Sequence, residues 1–385
     1  MDKPIIKLAN AEDCISYGPL REQYPLPPAQ LDGRVYTNPE LYASERKNIF
    51  LRSWFPVCPQ GDIPEEGDYT TWERLDQSVV IVRQADNTVS AWHNVCQHRG
   101  AKLVEGRGRL RGGVIVCPWH GFSYSGQGEL VRVPMADSFD SKAISNRRCK
   151  VVRSECWGGY CWLNFSDDQK PLEEYLGGLH SELSFYRLDT FSTRYRQSFT
   201  INANWKAVVD AFNETWHVPF THRETLGGLM RWKDARIRID SPHSWMTLPV
   251  EKFTERAAED ATHQEANVCH YTVFPNTIFS CFPTHLQMWS VYPTAVNATV
   301  LDAWGIVGPA PPGVSEDEWE TQNARSWEHF LNVSKEDIGV LNSLDDVVRS
   351  EGYVGSMFNT AESRLTAFHT EVLSRCGFES FEDNS

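Results

Sequence analysis

The chain has 385 residues, enough for two domains with a substantial core, and its 51 acidic against 37 basic residues give a net charge of −14. A field of that sign disfavours nucleic acid and anionic membrane surfaces as partners. No stretch approaches the roughly 18 consecutive apolar residues of a membrane helix, and the start at Met1 lacks the pattern of a secretory signal. We therefore expect a cytoplasmic protein with reduced thiols.

The elements predicted along the chain change from helical to β-rich and then to mixed. They are a helix at 37–55, strands at 78–83, 113–117, 149–153 and 160–165, a strand at 195–201, a helix at 204–217, strands within 236–250 and 270–307, a helix at 315–350 and an amphipathic segment at 360–375. Short strands separated by Gly, Pro and Asp indicate a small all-β module. Its place early in a mixed chain makes the expected fold class α+β.

Most of the ten cysteines show no ligand spacing, and we expect them to be structural. These are Cys14, Cys58, Cys149, Cys156, Cys161, Cys269, Cys281 and Cys376. No G-x-G-x-x-G fingerprint or Walker loop is present in the sequence, so no dinucleotide or nucleoside triphosphate site is expected.

The other two cysteines form Cys-His pairs, Cys96-Gln-His98 and Cys117-Pro-Trp-His120, separated by 18 residues. Two thiolates and two imidazoles could hold a tetrahedral zinc ion. They could equally hold a [2Fe–2S] cluster with Cys on one iron and His on the other. Each loop supplies one Cys and one His, which suits two irons better than one zinc.

A second constellation lies in the predicted helix at 204–217 and just after it. Asp210, Glu214 and His217 fall at i, i+4 and i+7, on one helical face. Pro219 must end or bend that helix, so His222 can turn back toward His217. Two His and one carboxylate would form the facial triad of non-haem Fe(II) oxygenases.

The carboxylate has three candidates in the C-terminal half: Asp337, Asp345 and Asp346. Asp337 begins an apolar stripe that continues to Val348, so its charge faces the core, where a metal would stabilise it. Asp345 can instead pair with Arg349. A capping box with Ser334 is the alternative role for Asp337.

These motifs closely resemble those of the Rieske non-haem iron oxygenases, the family of ring-hydroxylating oxygenase alpha subunits. The resemblance rests on C-x-H-R-G-A and C-P-W-H-G around the Cys-His pairs, N-W-K…E-x-x-H-x-x-x-x-H at 204–222, and E-D-I…S-x-G-Y at 336–353. It implies that Cys96, His98, Cys117 and His120 bind one [2Fe–2S] cluster. It also implies that His217, His222 and Asp337 bind one Fe(II).

The resemblance further implies an all-β Rieske domain inserted near the N-terminus of a helix-grip catalytic domain, an antiparallel sheet with helices. The expected divisions are an N-terminal helical segment at 1–52, the Rieske domain at 53–166 and the catalytic domain at 167–385. Glu214 takes the family's bridging position, which passes electrons from a neighbouring subunit's cluster to the iron in a homotrimer. A separate reductase or ferredoxin, with NAD(P)H as ultimate donor, is the implied source of electrons.

The expected activity is that of a terminal oxygenase that uses O₂ to mono- or dihydroxylate a hydrophobic, aromatic or polycyclic small molecule. The alternative is a monooxygenase or N-demethylase of a quaternary ammonium compound, because Glu214 replaces the Asp of many dioxygenases and resembles the choline and carnitine branch. A simple Rieske electron carrier is disfavoured, since it would leave His217 and His222 unexplained. Asp210, as a second catalytic candidate near the iron, would favour a cationic or hydroxylated substrate. The expected pocket residues are Asp210, Ala211, Val218, Phe220, Phe274, Phe279 and Phe282.

Overall fold

A computed structural model of the chain describes residues 4–10, 20–168, 170–226, 230–250, 262–282 and 285–379. Its internal contacts divide the chain into two compact units. The first unit comprises 1–50, 176–185 and 193–385, and the second comprises 51–175 and 186–192.

Two segments that we assigned to the catalytic domain, 167–175 and 186–192, group with the second unit instead. Arg52 pairs with Asp168 at 2.6 Å, and the Trp54 indole donates to the Lys170 carbonyl at 2.9 Å. Leu188 packs so closely on Gly159 that a Cβ there would lie 2.8 Å from its carbonyl oxygen. Because of these tertiary contacts, the second unit extends beyond the boundary predicted at residue 166.

The N-terminal part of the first unit contains two short strands and a helix: β1 (Ile6–Leu8), β2 (Ala29–Leu31) and α1 (Pro39–Asn48). Asn38 caps α1 by accepting from the Leu41 amide at 2.8 Å, and Pro39 supplies a fixed φ at its first position. The helix is therefore shorter than the predicted 37–55, which extends into the first strand of the second unit.

The second unit is an all-β module with short helices. Its elements are β3 (Phe55–Pro59), β4 (Asp68–Arg74), β5 (Gln77–Arg83), β6 (Val89–His93), β7 (Arg107–Arg109), β8 (Val114–Val116), β9 (Ser123–Ser125), β10 (Leu130–Arg132), α2 (Ser141–Ile144), β11 (Val151–Trp157), β12 (Tyr160–Asn164) and α3 (Leu172–Leu176), which runs one residue beyond it. An antiparallel sheet has the order β3-β12-β11-β6-β5-β4-β7, and a smaller one has the order β10-β9-β8. The loop between β6 and β7 and the loop between β8 and β9 carry the Cys-His pairs.

The remainder of the first unit is a seven-stranded antiparallel sheet with helices. Its elements are α4 (Gly178–Ser184), β13 (Ser192–Ile201), α5 (Trp205–Phe212), α6 (Val218–Thr221), β14 (Arg236–Asp240), β15 (His243–Pro249), α7 (His263–Ala266), β16 (Asn267–Val273), β17 (Thr277–Cys281), β18 (His285–Ala295), β19 (Ala298–Val307), α8 (Glu316–Val347), β20 (Ser356–Phe358) and α9 (Ser363–Cys376). The strand order is β13-β19-β18-β17-β16-β15-β14, and β20 joins β2 and β1 in a three-stranded sheet.

Helices α5 and α8 pack against the sheet through aromatic side chains. The Trp289 ring on β18 lies 4.8 Å from the Phe212 ring and 5.1 Å from the Phe330 ring, centroid to centroid. Ser315 and Glu318 form a capping box that begins the 32-residue helix α8. The predicted α+β class, with an all-β module near the N-terminus of a sheet-and-helix catalytic domain, is confirmed.

The predicted helix at 204–217 is wrong in its second half. Helix α5 ends at Phe212, and Asn213 leaves the helix with its side chain accepting from the Thr272 hydroxyl at 2.6 Å. Pro219 lies in the first turn of α6 rather than ending a longer helix. Asp210, on α5, therefore does not share a continuous helical face with Glu214 and His217.

No helix in the described part of the chain is both long and apolar enough to cross a membrane.

Candidate metal centres

The two Cys-His loops of the second unit each contain a backbone turn of the same kind. The Gly100 amide donates to the Cys96 carbonyl at 2.9 Å, and the Gly121 amide to the Cys117 carbonyl at 3.1 Å. Gly100 and Gly121 have φ of 78° and 71°, a left-handed conformation that favours glycine. The glycine amides thus close the turns, which fixes both Cys-His pairs on equivalent loops.

These loops turn the thiols inward and one imidazole outward. Cys96 and Cys117 are buried, whereas His120 is exposed. The His98 and His120 ring centroids lie 4.7 Å apart. His98 Nδ1 is buried with no hydrogen-bond partner among the described residues, as expected for an atom that ligates a metal. The donor set fits a [2Fe–2S] cluster with two buried sulfurs and two imidazoles nearer the surface.

Tyr124, on β9, is a neighbour of the cluster ligands that the sequence analysis missed. Its hydroxyl oxygen accepts from the Gln97 amide at 2.8 Å and lies 3.4 Å from Cys96 Sγ. Since the oxygen already accepts, its proton is free to be donated to the sulfur. Burial and the neighbouring Cys96 thiol raise the pKa of Tyr124, which keeps it protonated. Tyr124 lies four residues after His120 and belongs to no sequence motif, so its hydrogen bond to Cys96 could not be predicted from the sequence.

The structure brings His217, His222 and Asp337 together in the first unit. Asp337 Oδ1 lies 3.0 Å from His222 Nε2 and 3.7 Å from His217 Nε2. The histidines come from the segment around α6, and Asp337 comes from the middle of α8. Two imidazoles and a carboxylate converging from one side fit a mononuclear non-haem iron with open positions.

Each histidine of this triad is oriented by a glutamate through its other ring nitrogen. Glu214 Oε1 is hydrogen-bonded to His217 Nδ1, and Glu336 Oε2 lies 2.8 Å from His222 Nδ1. Glu336 also accepts from the Thr225 hydroxyl at 2.6 Å. Such carboxylates fix the imidazole so that Nε2 points at the metal. This role for Glu336 was not predicted from the sequence, although its position directly before Asp337 indicates a place beside the metal site.

Charge around the triad favours a cation. Burial lowers the pKa of His217 and of His222, but Glu214, Asp337 and Glu336 outweigh it, so both pKa values are raised. For Glu336, burial raises the pKa, and hydrogen bonds from Thr225 and His222 bring it below its usual value. A metal ion binding here has to displace protons from the imidazoles.

The alternatives for the third ligand lie elsewhere. Asp345 pairs with Arg349 at 3.1 Å and accepts from the Asn297 amide at 2.9 Å, and Asp346 is exposed. Ser334 lies inside α8, where its hydroxyl donates to the Phe330 carbonyl, so it caps no helix. Of the three candidate carboxylates, Asp337 alone meets both histidines.

Asp210 does not face the triad. Its carboxylate accepts from the Tyr36 hydroxyl at 2.8 Å and lies 3.0 Å from His369 Nε2. It lines a separate cavity of about 270 Å³ with Tyr36 and Tyr353. The reason is the early end of α5, which separates Asp210 from the turn that carries Glu214. The expectation that Asp210 lies near the iron is therefore corrected.

A cavity of about 120 Å³ opens beside the three ligands. Of the expected pocket residues, Ala211, Val218 and Phe282 line it. Phe220 is exposed, and Phe274 and Phe279 are fully buried, so these three belong elsewhere. The lining that the sequence analysis missed comes from separate strands and from α8: His270, Ser280, Gln287, Trp289, His329 and Phe330.

Seven of the cysteines predicted to be structural lie in the described part of the chain. Cys58, Cys149, Cys161, Cys269 and Cys281 are buried, Cys376 is half-buried and Cys156 is exposed. Cys14 lies outside the described residues.

Comparison with known proteins agrees with both centres. Residues 53–148 match the Rieske [2Fe-2S] domain, and residues 188–377 match the ring hydroxylating alpha subunit catalytic domain. The chain is 24% identical to the carnitine monooxygenase oxygenase subunit of Escherichia coli K12, over 84% of this chain and 86% of that one. It is 25% identical to the chloroplastic choline monooxygenase of Arabidopsis thaliana, over 87% and 80%.

Among solved structures, naphthalene 1,2-dioxygenase from Rhodococcus sp. superposes with a TM-score of 0.76 at 19% identity, covering 90% of this chain and 94% of that one. The fold is thus shared with an enzyme whose name places it among the dioxygenases. The chain belongs to the Rieske non-haem iron oxygenases. It is an oxidoreductase whose cofactors are one [2Fe–2S] cluster and one mononuclear iron.

Proposed function

We propose that this chain is the terminal component of a monooxygenase that oxidises a quaternary ammonium compound. The reaction inserts one oxygen atom of O₂ into a C–H bond of the substrate. The second oxygen atom leaves as water, which takes up two electrons and two protons. Hydroxylation of an N-methyl group would release formaldehyde, and hydroxylation of another carbon would leave the nitrogen intact.

The observation that carries the proposal is an aromatic wall in the iron cavity. Phe212, Trp289 and Phe330 line the cavity together with His217, His222 and Asp337. The Trp289 ring lies between the other two, with centroids 4.8 and 5.1 Å away. The faces of such rings attract a cation that cannot be neutralised by losing a proton.

The carnitine and choline monooxygenases in the comparison support the same substrate class. The acidic side chains Glu214 and Asp337 also line the cavity, which favours a positively charged substrate. Glutamate at position 214 agrees with the resemblance to the choline and carnitine branch.

The roles of this chain's residues follow from their contacts. His217, His222 and Asp337 would hold the iron, which supplies activation of O₂ when reduced. Glu336 orients His222, and Glu214 orients His217 while accepting from the His217 amide at 3.1 Å. Glu214 thereby forms a hydrogen-bonded route into the iron site.

Electrons would reach Glu214 from the Rieske cluster of a neighbouring subunit, in a homotrimer supplied by a separate reductase or ferredoxin. Two surface features support this. His120, a cluster ligand, is exposed in the second unit. Trp216 and Phe220, which flank His217 in sequence, are 46% and 74% exposed in the first unit. Exposed aromatic side chains of this kind are typical of surfaces that another subunit covers.

A hydrophobic ring compound is the second candidate substrate. The observation in its favour is the apolar lining of the cavity, which includes Leu226, Met230, Met246, Leu248 and Val333. In that case Phe212 and Trp289 would stack on the substrate ring rather than on a cation.

The test is a single turnover of iron-loaded, chemically reduced protein under ¹⁸O₂, with a panel of quaternary amines and ring compounds. We expect one labelled oxygen in the product of an amine, or formaldehyde in stoichiometric yield. Two labelled oxygens in a ring product, with the amines unreacted, would overturn the proposal in favour of dihydroxylation. Asp337→Ala is the control, because it should lose the mononuclear iron and the turnover but keep the visible spectrum of the cluster.

A further inference from the structure

The sheet beneath the iron cavity carries a row of uncharged polar side chains. His270 on β16 is the Cα partner of Ser280 on β17, and Ser280 is the partner of Gln287 on β18. All three line the cavity. The Ser280 hydroxyl and His270 Nδ1 are hydrogen-bonded at 3.0 Å, and among the described residues the Gln287 side-chain amide has no hydrogen-bond partner. The sheet thus adds a line of uncharged polar groups to the cavity, apart from the charged groups around the triad.

A buried donor lies next to this row. Trp289 follows Gln287 by two residues on β18, so both side chains lie on the same sheet face. Trp289 is 5% exposed, and its Nε1 has no hydrogen-bond partner in the described part of the chain. A buried N–H without a partner is destabilising, and a ligand oxygen in the cavity would satisfy it.

The charged groups that line the cavity indicate whether that ligand oxygen belongs to a charged or an uncharged group. The described residues that line it include no Lys or Arg, but they do include Glu214 and Asp337. Burial, with a smaller effect of Arg364 and His217, lowers the pKa of His270 to about 3, so that imidazole is neutral. Arg364 is fully buried, and it donates to Ser244 and Thr272 rather than lining the cavity. A carboxylate on the substrate would meet no Lys or Arg among the described residues that line this cavity.

Building on the proposed function, we infer that the substrate is a quaternary ammonium compound with an uncharged oxygen, a hydroxyl or a carbonyl. Gln287 and Trp289 Nε1 bind that oxygen, while the aromatic rings of Phe212, Trp289 and Phe330 hold the ammonium group. The cavity therefore selects against cations that carry a carboxylate.

The test compares three trimethylammonium compounds of similar size whose tails differ: 2-hydroxyethyl, carboxymethyl and propyl. Binding to the intact, iron-loaded protein is measured by calorimetry without O₂, and turnover is then measured with O₂ and reductant. We expect the hydroxyethyl compound to bind about 10-fold more tightly than either of the others, the difference that one or two hydrogen bonds make.

The variant Gln287→Leu should weaken binding of the hydroxyethyl compound about 5- to 10-fold and leave the propyl compound within about twofold. Gln197→Leu is the matched control, since Gln197 lies exposed on β13 of the same sheet. The cluster spectrum and iron content of each variant show that it has folded.

The outcomes separate this inference from the proposed function. If no cation binds or reacts, the proposed function is overturned and this inference with it. If cations react but the carboxymethyl or propyl compound binds as tightly as the hydroxyethyl compound, the inference alone is overturned. A hydroxyethyl preference that survives in Gln287→Leu would likewise remove Gln287 from the binding site. Should that variant fail to fold, the three-compound comparison on the unaltered chain still decides.

Discussion

At the scale of single residues, Tyr124 is the side chain that we expect to act on the cluster, because its hydroxyl contacts Cys96. Its hydroxyl oxygen accepts from the Gln97 amide, which leaves the O–H to donate to Cys96 Sγ. Hydrogen bonds to cluster sulfurs stabilise the more negative, reduced state and so raise the reduction potential. The ring also packs against Trp92 at 6.5 Å, so the hydroxyl can be removed without altering the core.

We predict that Tyr124→Phe lowers the cluster potential by about 50 mV, the electrochemical equivalent of about 1 kcal/mol for one electron. The ring packing stays, so the cluster content should not change. Potentiometric titration followed by EPR measures the shift. Tyr69→Phe, on β4 of the same unit, serves as control. A Tyr124→Phe potential equal to that of the control would show that the hydroxyl does not act on the sulfur.

Glu336 contacts a predicted iron ligand, His222, as Tyr124 contacts a predicted cluster ligand, Cys96. We predict that Glu336→Gln weakens Fe(II) binding about 10- to 100-fold, because His222 loses the charged partner that fixes its ring. Iron titration of the chelator-treated protein measures the affinity. Glu328→Gln, exposed on the same helix, should change nothing. An iron affinity unchanged in Glu336→Gln would make the Glu336–His222 contact merely structural.

At the scale of elements, the sequence predicts what depends on local spacing. The Cys-His loops, the two histidines and the stripe that begins with Asp337 were recognised because each motif lies within a short segment of the chain. The end of α5 was not predicted correctly, because it depends on a hydrogen bond between Asn213 and Thr272, which lies 59 residues further along the sequence. The cavity lining was missed for the same reason: His270, Ser280 and Gln287 meet only through the register of three strands.

The turn before α9 carries Glu362, which lies near enough to Glu214 and Asp210 for their charges to affect its pKa. Burial, together with the charges of Glu214 and Asp210, raises the pKa of Glu362 to about 7, against the lowering effect of its hydrogen bond from the Asn359 amide. The folded state therefore holds a proton that the unfolded chain has lost between about pH 4.5 and pH 7. Stability contributed by this proton is complete below about pH 4.5 and is lost as the pH rises to 7.

We predict that Glu362→Gln raises the melting temperature by roughly 2–5 °C at pH 8 and leaves it unchanged at pH 4.5. Glutamine can keep the capping box with Asn359, so the local turn should survive. Scanning calorimetry across this pH range measures the difference. Glu351→Gln, at an exposed position, gives the baseline. A pH-independent difference between Glu362→Gln and the unaltered chain would mean that Glu362 does not titrate there.

At the scale of the whole molecule, each unit exposes groups that an electron path needs. His120 and Trp119 are exposed in the second unit, and the Arg99 guanidinium lies 4.4 Å from the Trp119 ring. Trp216 and Phe220 are exposed beside the Glu214 turn of the first unit. If these surfaces meet between subunits of a closed ring, each iron depends on its neighbour's cluster.

We predict that two inactive variants complement each other when they are made together. We expect Cys96→Ser to remove a cluster ligand and His222→Ala to remove an iron ligand, so each alone should have no turnover. In a randomly mixed head-to-tail ring, half of the chains keep their iron, and half of those have a neighbour with a working cluster. About a quarter of the normal activity per chain should therefore return.

The double variant Cys96→Ser/His222→Ala, made together with the unaltered chain, distinguishes the two electron paths. Transfer between subunits again leaves about a quarter of the normal activity, because only half of the intact chains have an intact neighbour. Transfer within a chain would leave about half, and it would give no activity in the first mixture. The activity of each mixture is measured as the amount of product formed per chain in a single turnover. Half of the normal activity in the second mixture, with none in the first, would show that electrons do not pass between subunits.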